Sequence, residues 1–296
     1  MNPLTKLLVY HPGVPKDFIK HKKYTYMKES RKMGTAVVTG ASSGLGMVFA
    51  ERLAQRGYDL TLVARRGDRL ETLATKIRNQ FGVKVINIIA DLGSAAGLES
   101  VAKQLVNDPD ITMLINNAGT STLNRFTETP SEKQLAMIDV NVVALTVLSN
   151  AVLAGFKSRN KGTLINIASV LGYHTLPISA IYSGTKAFVV HFTNGLQQEF
   201  KDTNVAIQLV LPASTATEIW EVGGVPISAL DPETVMTTEN CVDAILAGLD
   251  LKESVTWPSV ENKTLYDVYE DARLKLFNAT QTKKPASRYR VAVTAE

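Results

Sequence analysis

The chain has 296 residues, 45% of them hydrophobic, with one cysteine, Cys241, and four histidines. That is enough apolar material for one large core; it excludes an internal disulfide, and the scattered histidines provide no zinc-ligand spacing. The formal charge of +4 resides in residues 1–32, where eight Lys or Arg face two acidic residues, so the remainder is near neutral and offers no basic surface for nucleic acid.

Residues 1–32 are expected to form a basic, loosely held extension ahead of a core that begins at Met33. No run approaches the ~18–20 apolar residues that cross a bilayer, so a soluble, cytoplasmic protein without a membrane partner is expected. From Met33 onward short β-branched runs alternate with longer amphipathic segments, the rhythm of a Rossmann-like, doubly wound parallel sheet with helices on both faces.

The first strand, 35–39, leads through Thr39-Gly40-Ala41-Ser42-Ser43-Gly44-Leu45-Gly46 into a helix over 45–56. Glycines there permit a tight turn and let backbone N–H groups approach a pyrophosphate, although the spacing is G-x-x-x-G-x-G rather than G-x-G-x-x-G. A strand over 59–64 ends in Ala64-Arg65-Arg66, and a helix over 68–80 follows. A strand over 83–90 runs into Asp91-Leu92, and then comes a helix over 95–107. The fourth strand, 111–116, ends in Asn116-Asn117-Ala118-Gly119, and a long helix over 131–159 carries Asn141 inside an apolar run.

A strand over 162–168 delivers Ser169, and a helix over 180–201 carries Tyr182 and Lys186 one turn apart on one face. A free phenol ionises near ~10 and a nearby cation favours the phenolate, so Lys186 is placed to make Tyr182 a usable acid-base group. The sixth strand, 205–211, opens into Pro212-Ala213-Ser214-Thr215-Ala216-Thr217 and an irregular stretch to residue 237, a length usually reserved for function. A helix over 238–249, a seventh strand over 254–257 and a helix over 264–278 complete a single domain, 33–278, with a C-terminal arm over 279–296. The last helix gathers Leu265, Val268, Tyr269, Ala272, Leu276 and Phe277 near one face, suited to closing a substrate site or packing at a subunit interface.

Four separated motifs, the TGASSGLG turn, Asn116 to Gly119, Ser169 and Tyr182/Lys186, together resemble the short, single-domain branch of the short-chain dehydrogenase/reductase family over residues 34–258. The resemblance implies hydride transfer at the nicotinamide C4 with Tyr182 as general acid or base, Ser169 fixing the substrate oxygen, and Lys186 lowering the phenol pKa and holding the nicotinamide ribose. It implies that Asn141 anchors a water linked to Lys186. Gly40, Ser42, Ser43, Gly44, Leu45 and Gly46 would cradle the cofactor, with Asp91 and Leu92 at the adenine and Asn117, Ala118 and Gly119 along the channel. Pro212, Thr215 and Thr217 would meet the nicotinamide end.

Arg65 and Arg66 stand where an acid would select NAD(H), so NADP(H) is the expected cofactor and no metal is required. Ala213 replaces the family's usual glycine, a change that narrows the backbone angles beside the nicotinamide. Residues 218–236 are the expected lid over a small apolar carbonyl or alcohol substrate, with Leu171, His174, Leu176, Ile219, Trp220 and Val222 as its wall. A homodimer or homotetramer through the two long helices is also implied. The competing class is an NADP(H)-binding regulator or scaffold of the same fold, which the four filled catalytic positions disfavour.

Overall fold

The computed structural model describes residues 33–290; the basic extension, 1–32, and residues 291–296 of the arm lie outside the described residues. Strand β1 (Thr35–Thr39) is buried along its whole length, which an apolar, β-branched sequence allows only at the centre of a sheet covered on both faces. It pairs in parallel with β2 (Asp59–Ala64) on one side and β4 (Ile111–Asn116) on the other. With β3 (Val85–Ile89), β5 (Gly162–Ile167), β6 (Val205–Val210) and β7 (Val255–Thr256), they form one seven-stranded parallel sheet ordered 3-2-1-4-5-6-7. The expected doubly wound architecture is the observed one. The outer strands are shorter than their apolar runs, because an edge residue pairs on one side only.

One face of the sheet is covered by α1 (Gly44–Gln55), α2 (Gly67–Phe81) and α8 (Thr238–Asp250), through Phe49, Leu53, Leu70, Ile77 and Ile245. Helices α3 (Ala95–Asn107) and α5 (Leu145–Arg159) cover the other, through Val101, Leu105, Leu148, Val152 and Phe156, while α6 (Ala180–Glu199) adds Val189 and Val190 over β6. A sheet whose order reverses between β1 and β4 leaves a crevice at the carboxyl ends of those strands, and the chain's polar loops converge there.

The helix expected over 131–159 is continuous but not uniform. Helix α4 (Ser131–Ile138) passes through a π turn (Asp139–Ala144) into α5, and the wider turn carries Asn141 into the core at 1% exposure. Among the described residues this combined helix is the one long and apolar enough to cross a bilayer, which corrects the expectation that no such segment exists. Its apolarity has a local use, since Leu145, Leu148, Val152, Leu153 and Phe156 are buried in the domain. Of the two roles expected for helix α9 (Thr264–Ala279), the one over the substrate site is not realised: Leu265, Val268, Leu276 and Phe277 are exposed, and none of its residues lines the crevice. Tyr266 and Tyr269 attach it instead, meeting Tyr173 edge to face, and Tyr266 also lies tilted against Trp257.

A buried polar network ties the two central strands to the helices that carry the site. Asn116 Nδ2 donates to Asn166 Oδ1 at 3.0 Å and Ser149 Oγ at 2.9 Å, and Asn166 Nδ2 donates to Thr193 Oγ1 on α6 at 3.0 Å. All four residues are buried, so each bond removed strands a desolvated partner. Asn166→Ala is therefore expected to lower unfolding free energy by about 1–3 kcal/mol in urea titration.

Candidate active site

The crevice is a cleft of about 1010 Å³. At one end the turn after β1 bends through Gly40 at φ +68° and Gly44 at φ +54°, angles that a side chain disfavours. A Cβ on Gly46 would run into the Gly40 carbonyl oxygen, so the third glycine sets the close approach of α1 to the strand; unlike its neighbours it does not line the cleft. Ser43 is the N-cap of α1 but makes no side-chain cap, leaving first-turn N–H groups available to an anion. Its hydroxyl accepts from Arg66 Nη2 at 2.7 Å, while Arg66 Nε and Nη2 each reach Ser42 Oγ at 3.1 Å.

Arg66, rather than Arg65, is thus built into the glycine turn; Arg65 is exposed at the cleft rim with no hydrogen bond among the described residues. Asp91 and Leu92 line the same end, and Asp91 also accepts from the Gly93 N–H, shaping its own turn. Asn117, Ala118 and Gly119 line the middle. Asn117 is held there because Thr39 Oγ1 accepts from the N–H groups of Asn117 and Ala118, each at 3.0 Å, and the Thr39 carbonyl accepts from Asn117 Nδ2 at 2.8 Å.

At the far end Ser169, Tyr182 and Lys186 line one wall, brought together by β5 and α6. A Cβ on Gly172 would sit 2.9 Å from the Lys186 carbonyl, so this glycine lets the turn after Ser169 lie directly on α6. Lys186 is 5% exposed; its Nζ donates to the Ile167 carbonyl at 2.9 Å and lies 5.8 Å from the Tyr182 ring centre. Burial pushes its pKa down to about 8. Burial also pushes the Tyr182 phenol up to about 12, offset only in part by the Ser169 hydroxyl beside it. The protein's own groups therefore keep the phenol protonated, the reverse of the depression expected from Lys186 alone.

Asn141 faces this group without lining the cleft. Its Oδ1 accepts from the Thr120 N–H at 2.9 Å, and its Nδ2 donates to the Thr120 carbonyl at 2.9 Å and Thr185 Oγ1 at 3.1 Å. The side chain is a clamp between the loop after β4 and the catalytic-helix candidate α6, a role that a lone asparagine in an apolar run did not reveal.

Pro212, Thr215 and Thr217 line the cleft as expected, and Ala213 keeps a negative φ, so the missing glycine does not distort the segment. The segment expected as a lid, 218–236, opens with Glu218 and the short helix α7 (Ile219–Val222). Trp220 Nε1 donates to the Thr215 carbonyl at 2.9 Å, Ser121 Oγ to the Ile219 carbonyl at 3.0 Å, and the Leu123 N–H to the Gly223 carbonyl at 2.9 Å. Leu171, Leu176, Ile219, Trp220 and Val222 line the cleft, but His174 is exposed and points no group into it; its carbonyl accepts from Ser183 Oγ instead. Ser121, Leu123 and Lys133 are further lining residues for which the sequence held no local signal.

These residues fit a dinucleotide laid from the glycine turn to Tyr182: a tight turn whose Gly40 and Gly46 leave no room for a Cβ against the neighbouring backbone, uncapped helix donors, an arginine at the adenosine end, and a proton-bearing phenol at the other. Fold and cleft together define an oxidoreductase class. The family model described as short chain dehydrogenase matches residues 34–223, and the chain belongs to that family.

A short-chain dehydrogenase from Sphingobium yanoikuyae, solved in complex with NADPH, is 40% identical with a TM-score of 0.84 over 87% of this chain and 100% of its own. The bulky-bulky ketone specific alcohol dehydrogenase from Comamonas testosteroni is 35% identical, with a TM-score of 0.80 over 87% and 99%. The very-long-chain 3-oxoacyl-CoA reductase of Anas platyrhynchos is 33% identical over 67% of this chain and 65% of its own length; the chain thus spans about 65% of that relative.

The buried ammonium gives a direct test. In NMR spectra of the lysine side chains, one resonance should titrate near pH 8 and be missing from Lys186→Met, while exposed lysines titrate at about 10.4. If every lysine titrates at the ordinary value, Lys186 is more hydrated than its geometry implies.

Proposed function

We propose that this protein is an NADP(H)-dependent oxidoreductase that interconverts a bulky, largely apolar ketone and its secondary alcohol. The observation that carries the reading is Tyr182, held protonated beside Ser169 and the buried Lys186 in the cleft that the glycine turn opens. When bound, the nicotinamide supplies or accepts the hydride. Tyr182 Oη delivers the proton to the carbonyl oxygen in reduction and withdraws it from the hydroxyl in oxidation. Ser169 Oγ orients that oxygen, and Lys186 Nζ supplies the positive charge that eases deprotonation of the phenol. Asn141 acts through Thr120 and Thr185, holding the loop and helix that frame these groups.

The cofactor assignment is supported by Arg66 on Ser42 and Ser43, with Arg65 as a second cation at the rim, and by the NADPH in the Sphingobium relative. A bulky ketone is supported by the apolar wall of Leu171, Leu176, Ile219 and Trp220 and by the substrate named for the Comamonas enzyme. The Anas relative makes a 3-oxoacyl thioester the alternative to test. Exposed Leu135, Val143 and Phe188 on the long helices support association of like chains through them.

Following NADPH absorbance against bulky ketones, small aldehydes and 3-oxoacyl-CoA thioesters tests the reading; turnover confined to the thioesters overturns the ketone assignment. Tyr182→Phe should cut turnover about 10²–10⁴-fold while leaving NADPH affinity intact, as measured by quenching of tryptophan emission. Arg66→Asp should weaken NADPH about tenfold to a hundredfold, leave NADH little changed, and act more strongly than Arg65→Asp.

A further inference from the structure

Glu218 begins the lid, yet its carboxylate does not belong to the substrate wall. It reaches the adenosine end of the cleft, with Oε2 2.7 Å from Arg66 Nη1 and Oε1 2.6 Å from Arg69 Nη1. Arg66 commits its other donors to Ser42 and Ser43. Two guanidinium groups therefore converge on a single carboxylate, with the Ser42 and Ser43 hydroxyls fixing the back of Arg66, and paired guanidiniums are equally suited to a phosphate. The two arginines hold the Glu218 carboxyl down at about 2, so it stays anionic at any working pH.

We propose that Glu218 is a latch that competes with the 2′-phosphate of NADP(H) for Arg66, so that binding the phosphorylated cofactor releases the base of the lid. The proposal rests on the NADP(H) reading above. A carboxylate and a phosphate dianion repel one another, and Arg66 has one outward Nη1 to share between them. Glu218 is the residue immediately before α7, so losing Arg66 leaves it tethered by Arg69 alone and loosens that helix on the cofactor side. Trp220, Ser121 and Leu123 still hold α7 on the substrate side, which makes the release a pivot and not a detachment. A cofactor lacking the 2′-phosphate leaves the latch closed. Glu218 is a specificity-determining residue of this kind, with no contact to the reacting atoms.

The test uses the full chain and two probes of the adenosine end, 2′,5′-ADP and 5′-ADP, titrated by calorimetry against wild type and Glu218→Gln. Removing the competing charge should tighten 2′,5′-ADP about three- to tenfold, the range expected of a partly exposed ion-pair network, and leave 5′-ADP unchanged. The chain has two tryptophans, so Trp257→Phe leaves Trp220 as the sole emitter on the lid. In that background 2′,5′-ADP should shift Trp220 emission and 5′-ADP should not, whereas adding Glu218→Gln should produce the shifted emission before any ligand. Equal or weaker 2′,5′-ADP binding by Glu218→Gln, or a Trp220 signal indifferent to the 2′-phosphate, overturns the latch. The cofactor reading survives that result if wild type still prefers 2′,5′-ADP to 5′-ADP; it fails separately if neither protein shows that preference.

Discussion

The site depends on keeping a lysine ammonium in the interior of the protein. Burying a charge costs far more than burying an amide unless partners compensate, and Lys186 has a protein acceptor in the Ile167 carbonyl. The surrounding structure holds it in place. Gly172 brings the turn after β5 against the helix backbone at Lys186, Asn141 grips Thr185 one residue before it, and Thr193 pins the same helix to β5 through Asn166. The apolar layers on the sheet supply the stability that lets such a costly group persist.

The two ends of the cleft follow different electrostatic rules. Around Tyr182 and Lys186 burial dominates, moving both groups toward their neutral forms. Around Arg66 water remains close, and direct pairing outweighs desolvation, holding Glu218 ionised. One end therefore favours neutral, proton-bearing groups, and the other holds fixed charge. The Pro212 to Thr217 segment joins them, with Thr217 lying against Gly44 of the glycine turn and Trp220 bonded back to Thr215.

How legible each part was follows from the range of the interaction. Strands β1, β2 and β4 were readable to the residue because a strand buried on both faces is written as an unbroken apolar or β-branched run. The glycine turn, Ser169 and the Tyr182/Lys186 pair were readable because their chemistry is local. The π turn was not: a run of Ile, Val, Ala and Leu around Asn141 has the same composition in either helical form, and the choice is made by Thr120 and Thr185 from elsewhere. Glu218 escaped for a similar reason, since its partner Arg66 is 152 residues away and no motif links them. His174 shows the opposite error, in which closeness to Ser169 along the chain implied closeness to the cleft although the turn directs it outward.

The π turn also sets the phase between the two halves of the combined helix, α4 and α5. An α-helix advances about 100° per residue, so one extra residue within the turn rotates everything after it by that amount relative to everything before. The apolar stripe of α5 is thereby aimed at the sheet, while Leu135 of α4 and Val143 of the turn itself stay at the surface. A single-residue deletion between Asp139 and Ala144 is thus not a local trim but a change of phase, moving the core face and the outer face of the same helix together.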